Sequence, residues 1–306
     1  MSEDSNDTEN KDIDKISGVE TTGHEWDGMK ELNTPIPRWW LWVLYATIIW
    51  SIWYFIVYPA WPIPGGATKG ISGYTQHKEL EASQNEIRQI QAAYFEQMQR
   101  SSFQQSMADD GLYSFAMAGG EAAFKDNCAT CHGTGAEGSK GYPNLNDDDW
   151  IWGGTLEDIY LTLEHGIRAN NEDTRMSQMP AFGKDKLLDS EQIEILVSYV
   201  LSLSENAAMA EKLKGNPIFQ QNCASCHGAD GKGSYEFGAP NLTDDIWLYG
   251  GSHHDIYDSI YNARVGMMPD WLDRLGEQTI RQLAIYVHQL GGGEESEAEN
   301  GQRRAK

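Results

Sequence analysis

The sequence Cys128-Ala129-Thr130-Cys131-His132-Gly133 recurs as Cys223-Ala224-Ser225-Cys226-His227-Gly228. Counted from Gly120 and from Gly215, 8 of 14 positions are identical, at a fixed distance of 95 residues. In a Cys-x-x-Cys-His sequence the two thiols can add to the vinyl groups of a haem, while the adjacent imidazole becomes an axial ligand to the iron. The repeat therefore predicts a haem-binding unit that has been duplicated.

Two Cys-x-x-Cys pairs can also hold a structural zinc ion, and a single pair can be a redox-active dithiol. Neither alternative explains why His132 and His227 directly follow the second cysteine, or why the sequence downstream also repeats. All four cysteines of the chain lie in these motifs. We therefore predict a c-type cytochrome with two covalently bound haem c groups, attached through Cys128, Cys131, Cys223 and Cys226.

Each iron needs a second axial ligand besides His132 or His227. Met179 and Met268 are the candidates, because both precede a proline that keeps the loop extended and able to present a thioether. Thioether ligation raises the redox potential relative to a second imidazole. The competing candidates are Met176, Met267, His165, His253 and His254.

Residues outside the ligand set are also expected to contact the haem groups. Pro143 and Pro240, each in a Pro-Asn-Leu triplet, can offer a backbone carbonyl that fixes the tautomer of the preceding histidine. Three arginines can form bidentate pairs with haem propionates, and exposure to solvent is an equally good interpretation of each: Arg168, Arg175 and Arg264.

Composition restricts the partners. The formal net charge is −23 and the sequence pI is near 4.6. Such a negative field disfavours nucleic acid and speeds encounter with a basic protein surface.

One segment has the properties of a membrane anchor. Trp39–Val57 contains 19 residues without a charge and spans about 28 Å as a helix. Aromatic residues mark both ends, at Trp39, Trp40, Trp42, Tyr58 and Trp61. A buried core helix is the alternative, but the following prolines argue against it. We expect a single transmembrane helix that stays uncleaved.

Flanking charges do not decide the orientation of this helix, but the haem motifs do. Covalent haem attachment takes place outside the cytoplasm in bacteria, so we expect periplasmic haem domains and a cytoplasmic N-terminus at the inner membrane. The first 37 residues are acidic and poor in apolar side chains, which predicts that most of them are disordered.

The predicted fold is mainly α, with one N-terminal transmembrane helix and two tandem cytochrome c-like domains. Ile193 and Tyr199 recur as Ile280 and Tyr286 at helical spacing. We expect these closing helices to pack against the helix bearing Phe124 in the first domain and Phe219 in the second. The predicted segments are a tail at 1–37, an anchor at 38–60, a connector with an amphipathic helix at 61–112, haem domains at 113–208 and 209–292, and a mobile tail at 293–306.

Several stretches resemble the dihaem subunit, subunit III, of cbb3-type cytochrome c oxidases. In the N-terminal anchor these are 22–32 (TGHEWDGMKEL), 35–40 (PIPRWW) and 58–62 (YPAWP). In the first haem domain they are 141–145 (GYPNL) and 147–154 (DDDWIWGG). The resemblance covers roughly residues 20–292 and is most specific in the anchor.

The resemblance implies electron transfer in aerobic respiration. Electrons would pass from a periplasmic donor cytochrome c, through two haems, to the monohaem subunit and the catalytic haem-copper subunit. It also implies His/Met ligation of both irons, His132 with Met179 and His227 with Met268. Some members of the family have a further transmembrane helix that is absent here, and the second Met-Pro is followed by Asp270 where the first is followed by Ala181.

Two other functions are compatible with the motifs. A freestanding membrane-anchored dihaem carrier could serve another terminal enzyme. A dihaem peroxidase would need one iron with an open or readily opened position, which two filled axial positions do not provide.

Overall fold

The structure is a computed structural model that describes residues 12–210 and 212–295. Those residues are mainly helical, as predicted, and form two compact units that divide between Gln89 and Ile90. The N-terminal elements are β1 Thr21–Trp26, β2 Met29–Leu32, α1 Arg38–Val57, β3 Pro62–Ile63, β4 Gly66–Ala67 and α2 Gln76–Arg100. The remaining elements are α3 Phe103–Ala108, α4 Asp110–Asn127, α5 Ala129–His132, α6 Leu156–His165, α7 Ser190–Ala210, α8 Gly215–Asn222, α9 Ala224–His227, α10 His253–Asn262, α11 Leu272–Leu275 and α12 Glu277–His288.

An antiparallel hairpin lies in the N-terminal segment for which the composition predicts disorder. Strands β1 and β2 pair, with Trp26 opposite Met29. Asp27 and Gly28 between them have φ angles of 50° and 82°, which is the type I′ turn favoured by Asp-Gly in two-residue hairpins. The prediction of disorder is therefore wrong for residues 21–32, and for residues 1–11 it lies outside the described residues.

Helix α1 is apolar on all sides and none of its residues is buried. Among the described residues it is the one helix long and apolar enough to cross a membrane. A helix with no polar face needs a lipid or protein environment around it. Its last carbonyls are satisfied within the chain, because the backbone N–H of Ile71 donates to Ile56 (3.1 Å) and that of Ser72 to Val57 (3.0 Å).

Helix α2 covers the segment predicted as an amphipathic connector. Its apolar residues Leu80, Ile87 and Ile90 are exposed, whereas Met98 near its C-terminal end is fully buried. Most of the apolar stripe therefore has no cover in the described chain.

The second unit contains two hydrophobic cores, and each draws on both copies of the repeat. The first core contains buried residues from Met98 to Leu163 together with residues from Trp271 to Val287. The second core runs from Phe182 to Phe219 and adds Ile256 and Ile260. We call the elements around the first core (α3–α6, α11 and α12) the first lobe, and those around the second core (α7–α10) the second lobe.

The closing helices are thus exchanged between the repeats. Helix α12 packs on α4 and α6, while α7 packs on α8 and α10. The expectation that α7 closes the first haem domain and α12 the second is wrong. Both contacts use the same chemistry: the ring centroids of Phe124 and Tyr286 lie 5.6 Å apart, and those of Phe219 and Tyr199 lie 5.1 Å apart.

Equivalent glycines allow these close helix contacts. A Cβ atom on Gly120 would clash with Tyr286 and with the Gln282 backbone, and one on Gly215 would clash with Tyr199. Because the same glycine and tyrosine meet in both lobes, either closing helix could in principle serve either lobe.

Backbone pairing fixes the point at which the chain crosses between lobes. The N–H of Ile167 donates to the Met268 carbonyl (2.9 Å), and the N–H of Met268 donates to the Ile167 carbonyl (3.0 Å). We call these paired segments, residues 166–168 and 266–268, the crossover. A second link joins Phe182 N–H to the Ile260 carbonyl (3.1 Å). The two Met-Pro loops are therefore each tied to the lobe opposite to the one that sequence order suggests.

The start of the C-terminal tail is held by hydrogen bonds. The Glu294 carboxylate accepts from the Gly154 N–H (2.7 Å) and from the Tyr235 hydroxyl (2.7 Å), so it joins the two lobes. The predicted mobility is therefore wrong for Glu294, while residues 296–306 lie outside the described part of the chain.

The exchange of helices predicts where core substitutions act. Leu283→Ala in α12 removes a fully buried side chain, which costs about 2–5 kcal/mol. We expect faster amide hydrogen exchange in α4, measured by mass spectrometry of the holoprotein, with little change in α8.

Leu196→Ala in α7 is the matched variant, because Leu196 is equally buried in the second core. It should accelerate exchange in α8 and leave α4 protected. The reverse assignment of the two variants would show that each closing helix stays with its own repeat.

Candidate haem-binding sites

Each Cys-x-x-Cys-His motif forms one helical turn at the end of a longer helix. Helix α4 ends at Asn127. The carbonyl of the next residue, Cys128, accepts the His132 N–H at 3.0 Å, and Gly133 with φ 83° ends the turn. The second motif repeats this geometry after α8, with Gly228 at φ 79°. A turn of this kind places both cysteines and the histidine beside one another, and no disulfide joins any of the four cysteines. Burial raises the pKa of Cys128 and of Cys223 to about 11.

The histidine rings are oriented by the predicted backbone carbonyls. Nδ1 of His132 lies 3.0 Å from the Pro143 carbonyl, and Nδ1 of His227 lies 3.0 Å from the Pro240 carbonyl. A carbonyl can only accept, so each Nδ1 carries the proton and each Nε2 keeps its lone pair for a metal. Burial also lowers the pKa of both histidines, which favours the neutral ligating form.

The two Met-Pro methionines lie against opposite cores. Met268 packs against the first core, which contains Cys128, while Met179 packs against the second core, as Cys223 also does. The resemblance implies the pair His132 and Met179. In this fold the methionine that packs against the core next to the first motif is Met268 instead.

The competing candidates lie away from these positions. Met176 and Met267 are 66% and 71% exposed, so neither belongs to a core. His165 at the end of α6 lies 3.4 Å from Glu164, and His253 on α10 lies 3.1 Å from Glu194. His254 is exposed on the same helix. Of the described methionines in the two loops, only Met179 and Met268 combine the proline context with a place against a core.

Arg175 and Arg264, two of the three arginines predicted to meet haem propionates, each have an unused guanidinium donor. The Arg175 guanidinium donates to the Asp158 carboxylate (3.1 Å) and lies 5.6 Å above the Trp152 ring. The Arg264 guanidinium pairs with Asp258 and lies 5.5 Å above the Tyr249 ring. In both, Nε is buried without a hydrogen-bond partner in the described part of the chain.

A buried donor without a partner is costly, and a carboxylate acceptor is the natural complement of a guanidinium. The two orphaned Nε donors therefore suit haem propionates. Together with paired thiols, an imidazole with a free Nε2 and a thioether for each core, the residues present are compatible with haem c at both sites.

Charged groups from both copies also meet between the lobes. Lys140 Nζ lies 2.6 Å from the Asp255 carboxylate, and this hydrogen bond lowers the pKa of Asp255 to about 2. Burial, reinforced by the charge of Asp244, raises the pKa of Asp149 to about 6. The sequence alone did not predict the contact of Lys140 with Asp255 or the effect of Asp244 on Asp149. The residues of each pair lie about 100 positions apart, and no motif marks any of them.

The two haem motifs, the two helical cores and the apolar helix α1 define a membrane-anchored dihaem cytochrome c. Comparison with known families agrees. Residues 117–204 match cytochrome c, residues 18–64 match the N-terminal domain of cytochrome oxidase-cbb3, FixP, and residues 210–287 match cytochrome c oxidase, cbb3-type, subunit III.

Relatives of this architecture align over nearly their whole length. The cbb3-type cytochrome c oxidase subunit FixP of Rhizobium meliloti is 49% identical over 93% of this chain and 98% of its own length. The subunit CcoP of Azospirillum sp. is 48% identical over 92% and 98%, and that of Cereibacter sphaeroides is 49% identical over 90% and 95%. The chain belongs to the FixP/CcoP family of cbb3-type cytochrome c oxidase subunits. Its cofactors are accordingly two c-type haems, and its role is electron transfer.

The raised pKa of Asp149 predicts a pH-dependent stability. Because the folded pKa of about 6 exceeds the unfolded value of 3.8, the charged carboxylate opposes folding above pH 6, and this penalty disappears as the pH falls towards 4. Asp149→Asn should raise the free energy of unfolding at pH 7 by about 1 kcal/mol. The gain is small because solvent screens the charge of a half-buried side chain. The gain should vanish near pH 4 in denaturant titrations.

Asp245→Asn is the control, because Asp245 is exposed and lies in the same acidic region. It removes the same formal charge and should leave the pH profile between 4 and 7 unchanged. Equal profiles for both variants would mean that net charge alone, rather than the environment of Asp149, controls the effect.

Proposed function

We propose that this chain is the electron-entry subunit of a cbb3-type cytochrome c oxidase. It accepts electrons from a periplasmic donor cytochrome c and passes them through two haems to the monohaem cytochrome c subunit and the catalytic haem-copper subunit. The observation that carries the proposal is the equivalence of the two sites: each combines an oriented, half-buried histidine with a methionine that packs against one of the two cores. The relatives named above are subunits of that oxidase.

The proposed ligands follow the exchanged packing of the lobes. Cys128 and Cys131 attach the first haem, and Cys223 and Cys226 attach the second. His132 and Met268 hold the first iron, while His227 and Met179 hold the second. When bound, each haem supplies reversible one-electron chemistry.

The proposed ligands limit each haem to electron transfer and exclude catalysis at the iron. With a histidine and a methionine at each iron, a bound haem would have no open position for oxygen or peroxide. The carbonyls of Pro143 and Pro240 hold the orientation of the two imidazoles. A thioether ligand would favour the reduced iron and so a higher potential.

The proposed location is the bacterial inner membrane. Helix α1 crosses the lipid bilayer once, with the N-terminal hairpin on the cytoplasmic side and both haem lobes in the periplasm. Support comes from the apolar, unburied surface of α1 and from the site of covalent haem attachment, outside the cytoplasm. The donor cytochrome presents a basic surface, because this chain carries a net charge of −23.

Purification of the tagged full-length chain in mild detergent from its native membrane tests the proposal. We expect a monohaem cytochrome and a many-helix haem-copper subunit to accompany it, identified by mass spectrometry and haem staining. Recovery of the chain alone with two covalent haems would favour a freestanding carrier. Peroxide turnover by the isolated chain would favour a dihaem peroxidase instead.

A chain with only one haem tests the crossed ligation. In a Cys128→Ala, Cys131→Ala background, the second haem should be the only one present. Met179→Leu should then abolish the far-red absorption band of ferric haem with a thioether ligand, and Met268→Leu should preserve it. The opposite result would assign Met268 to His227.

The reciprocal background, Cys223→Ala with Cys226→Ala, retains the first haem and should reverse the outcome. There Met268→Leu removes the band and Met179→Leu does not. Met267→Leu serves as the control in both backgrounds, because Met267 is exposed next to a proposed ligand. Loss of the band in that control would indicate a general disturbance of the loop.

A further inference from the structure

Arg168 stands out at the crossover for its backbone conformation. Its φ angle is 51°, in the left-handed region that a long side chain rarely adopts. It lies three residues after the end of α6, next to Ile167, which pairs with Met268. Strain of this kind persists only where the surroundings impose it, and it is concentrated at functional sites.

The guanidinium of Arg168 connects the two Met-Pro loops. Its Nη1 donates to the Ser177 carbonyl (3.1 Å), and its Nε donates to the Gly266 carbonyl (2.8 Å). Ser177 precedes Met179 by two residues, and Gly266 precedes Met268 by two residues. One side chain therefore bonds equivalent backbone positions in both copies of the repeat.

These bonds are not a by-product of an ion pair. Within the residues that the structure describes, no salt bridge joins Arg168 to a carboxylate, in contrast to Arg175 and Arg264. The side chain is half-buried, and a planar guanidinium holds its N–H donors in a fixed fork that can reach acceptors on two separate loops.

We propose that Arg168 is a shared positioning residue that holds both axial methionines in place through their loop backbones. The proposal rests on the proposed ligation by Met179 and Met268. Each loop is held to its lobe by a few backbone bonds, and the guanidinium adds a charged hydrogen bond two residues before each thioether. Loss of that bond should loosen both iron–sulfur bonds together, although Arg168 belongs to neither ligand set.

Two variants of the full-length holoprotein separate this role from a general structural one. Arg168→Asn tolerates the left-handed backbone while removing the guanidinium. Arg168→Lys keeps the charge but cannot direct donors to both carbonyls at fixed geometry. The control is Arg281→Lys, because Arg281 also donates to a backbone carbonyl, that of Ser101 (2.8 Å), but contacts neither loop.

Two measurements report methionine binding. The first is the pair of upfield methyl resonances of iron-bound methionine in the NMR spectrum of the ferrous protein. The second is the displacement of methionine from the ferric protein as the pH rises. In Arg168→Asn we expect roughly tenfold more methionine-dissociated ferric haem at both irons, which lowers both transition midpoints by about one pH unit. Arg168→Lys should fall between wild type and Arg168→Asn. If Arg168→Asn does not accumulate, Arg168→Lys decides the question.

Unchanged methionine binding at both irons, a change at one iron only, or an equal change in Arg281→Lys would overturn the proposal. A wild-type spectrum without two methionine resonances would overturn the ligand assignment itself, and the role of Arg168 with it. Two wild-type resonances that persist unaltered in both Arg168 variants would leave the ligands standing and reject only the shared positioning.

Discussion

Each haem turn depends on an amphipathic closing helix that packs against the helix leading into the turn. The Cys-x-x-Cys-His segment is only one helical turn long and contributes little buried area. Its geometry therefore depends on the packing of the preceding helix, through Phe124 in the first lobe and Phe219 in the second. Here that packing is provided by a segment from the other copy of the repeat. The place of each methionine follows from this exchange, because each Met-Pro loop is tied through its backbone to the lobe that it enters.

Local features of the site could be predicted from sequence. The Cys-x-x-Cys-His turn and the carbonyls of Pro143 and Pro240 depend on residues close in the chain, and the choice of Met179 and Met268 as ligands, which stays a prediction, rests on the same kind of local evidence. The exchange of the closing helices could not be predicted, because α7 and α12 present the same tyrosine to the same glycine. Which helix serves which lobe is decided by distant backbone pairing, and no sequence pattern at Ile167 signals it.

The two errors at the chain ends have a common origin. Composition indicates how little apolar surface a segment can bury, but it takes no account of turn chemistry or of single polar anchors. The Asp27-Gly28 turn is enough to organise a hairpin, and it could have been read from the Asp-Gly pair. Glu294 had no such signal, because its partners Gly154 and Tyr235 come from different lobes.

The exchange can also be viewed along the chain. The first lobe is assembled from two separated stretches, and the second lobe lies between them as an uninterrupted stretch. Within the second lobe the closing helix α7 precedes the Cys-x-x-Cys-His turn, whereas in the first lobe α12 follows it. In chain order the second, inner lobe is thus inserted into the first, outer lobe. During synthesis from the N-terminus, the inner lobe has all of its parts before the outer one receives its last helix.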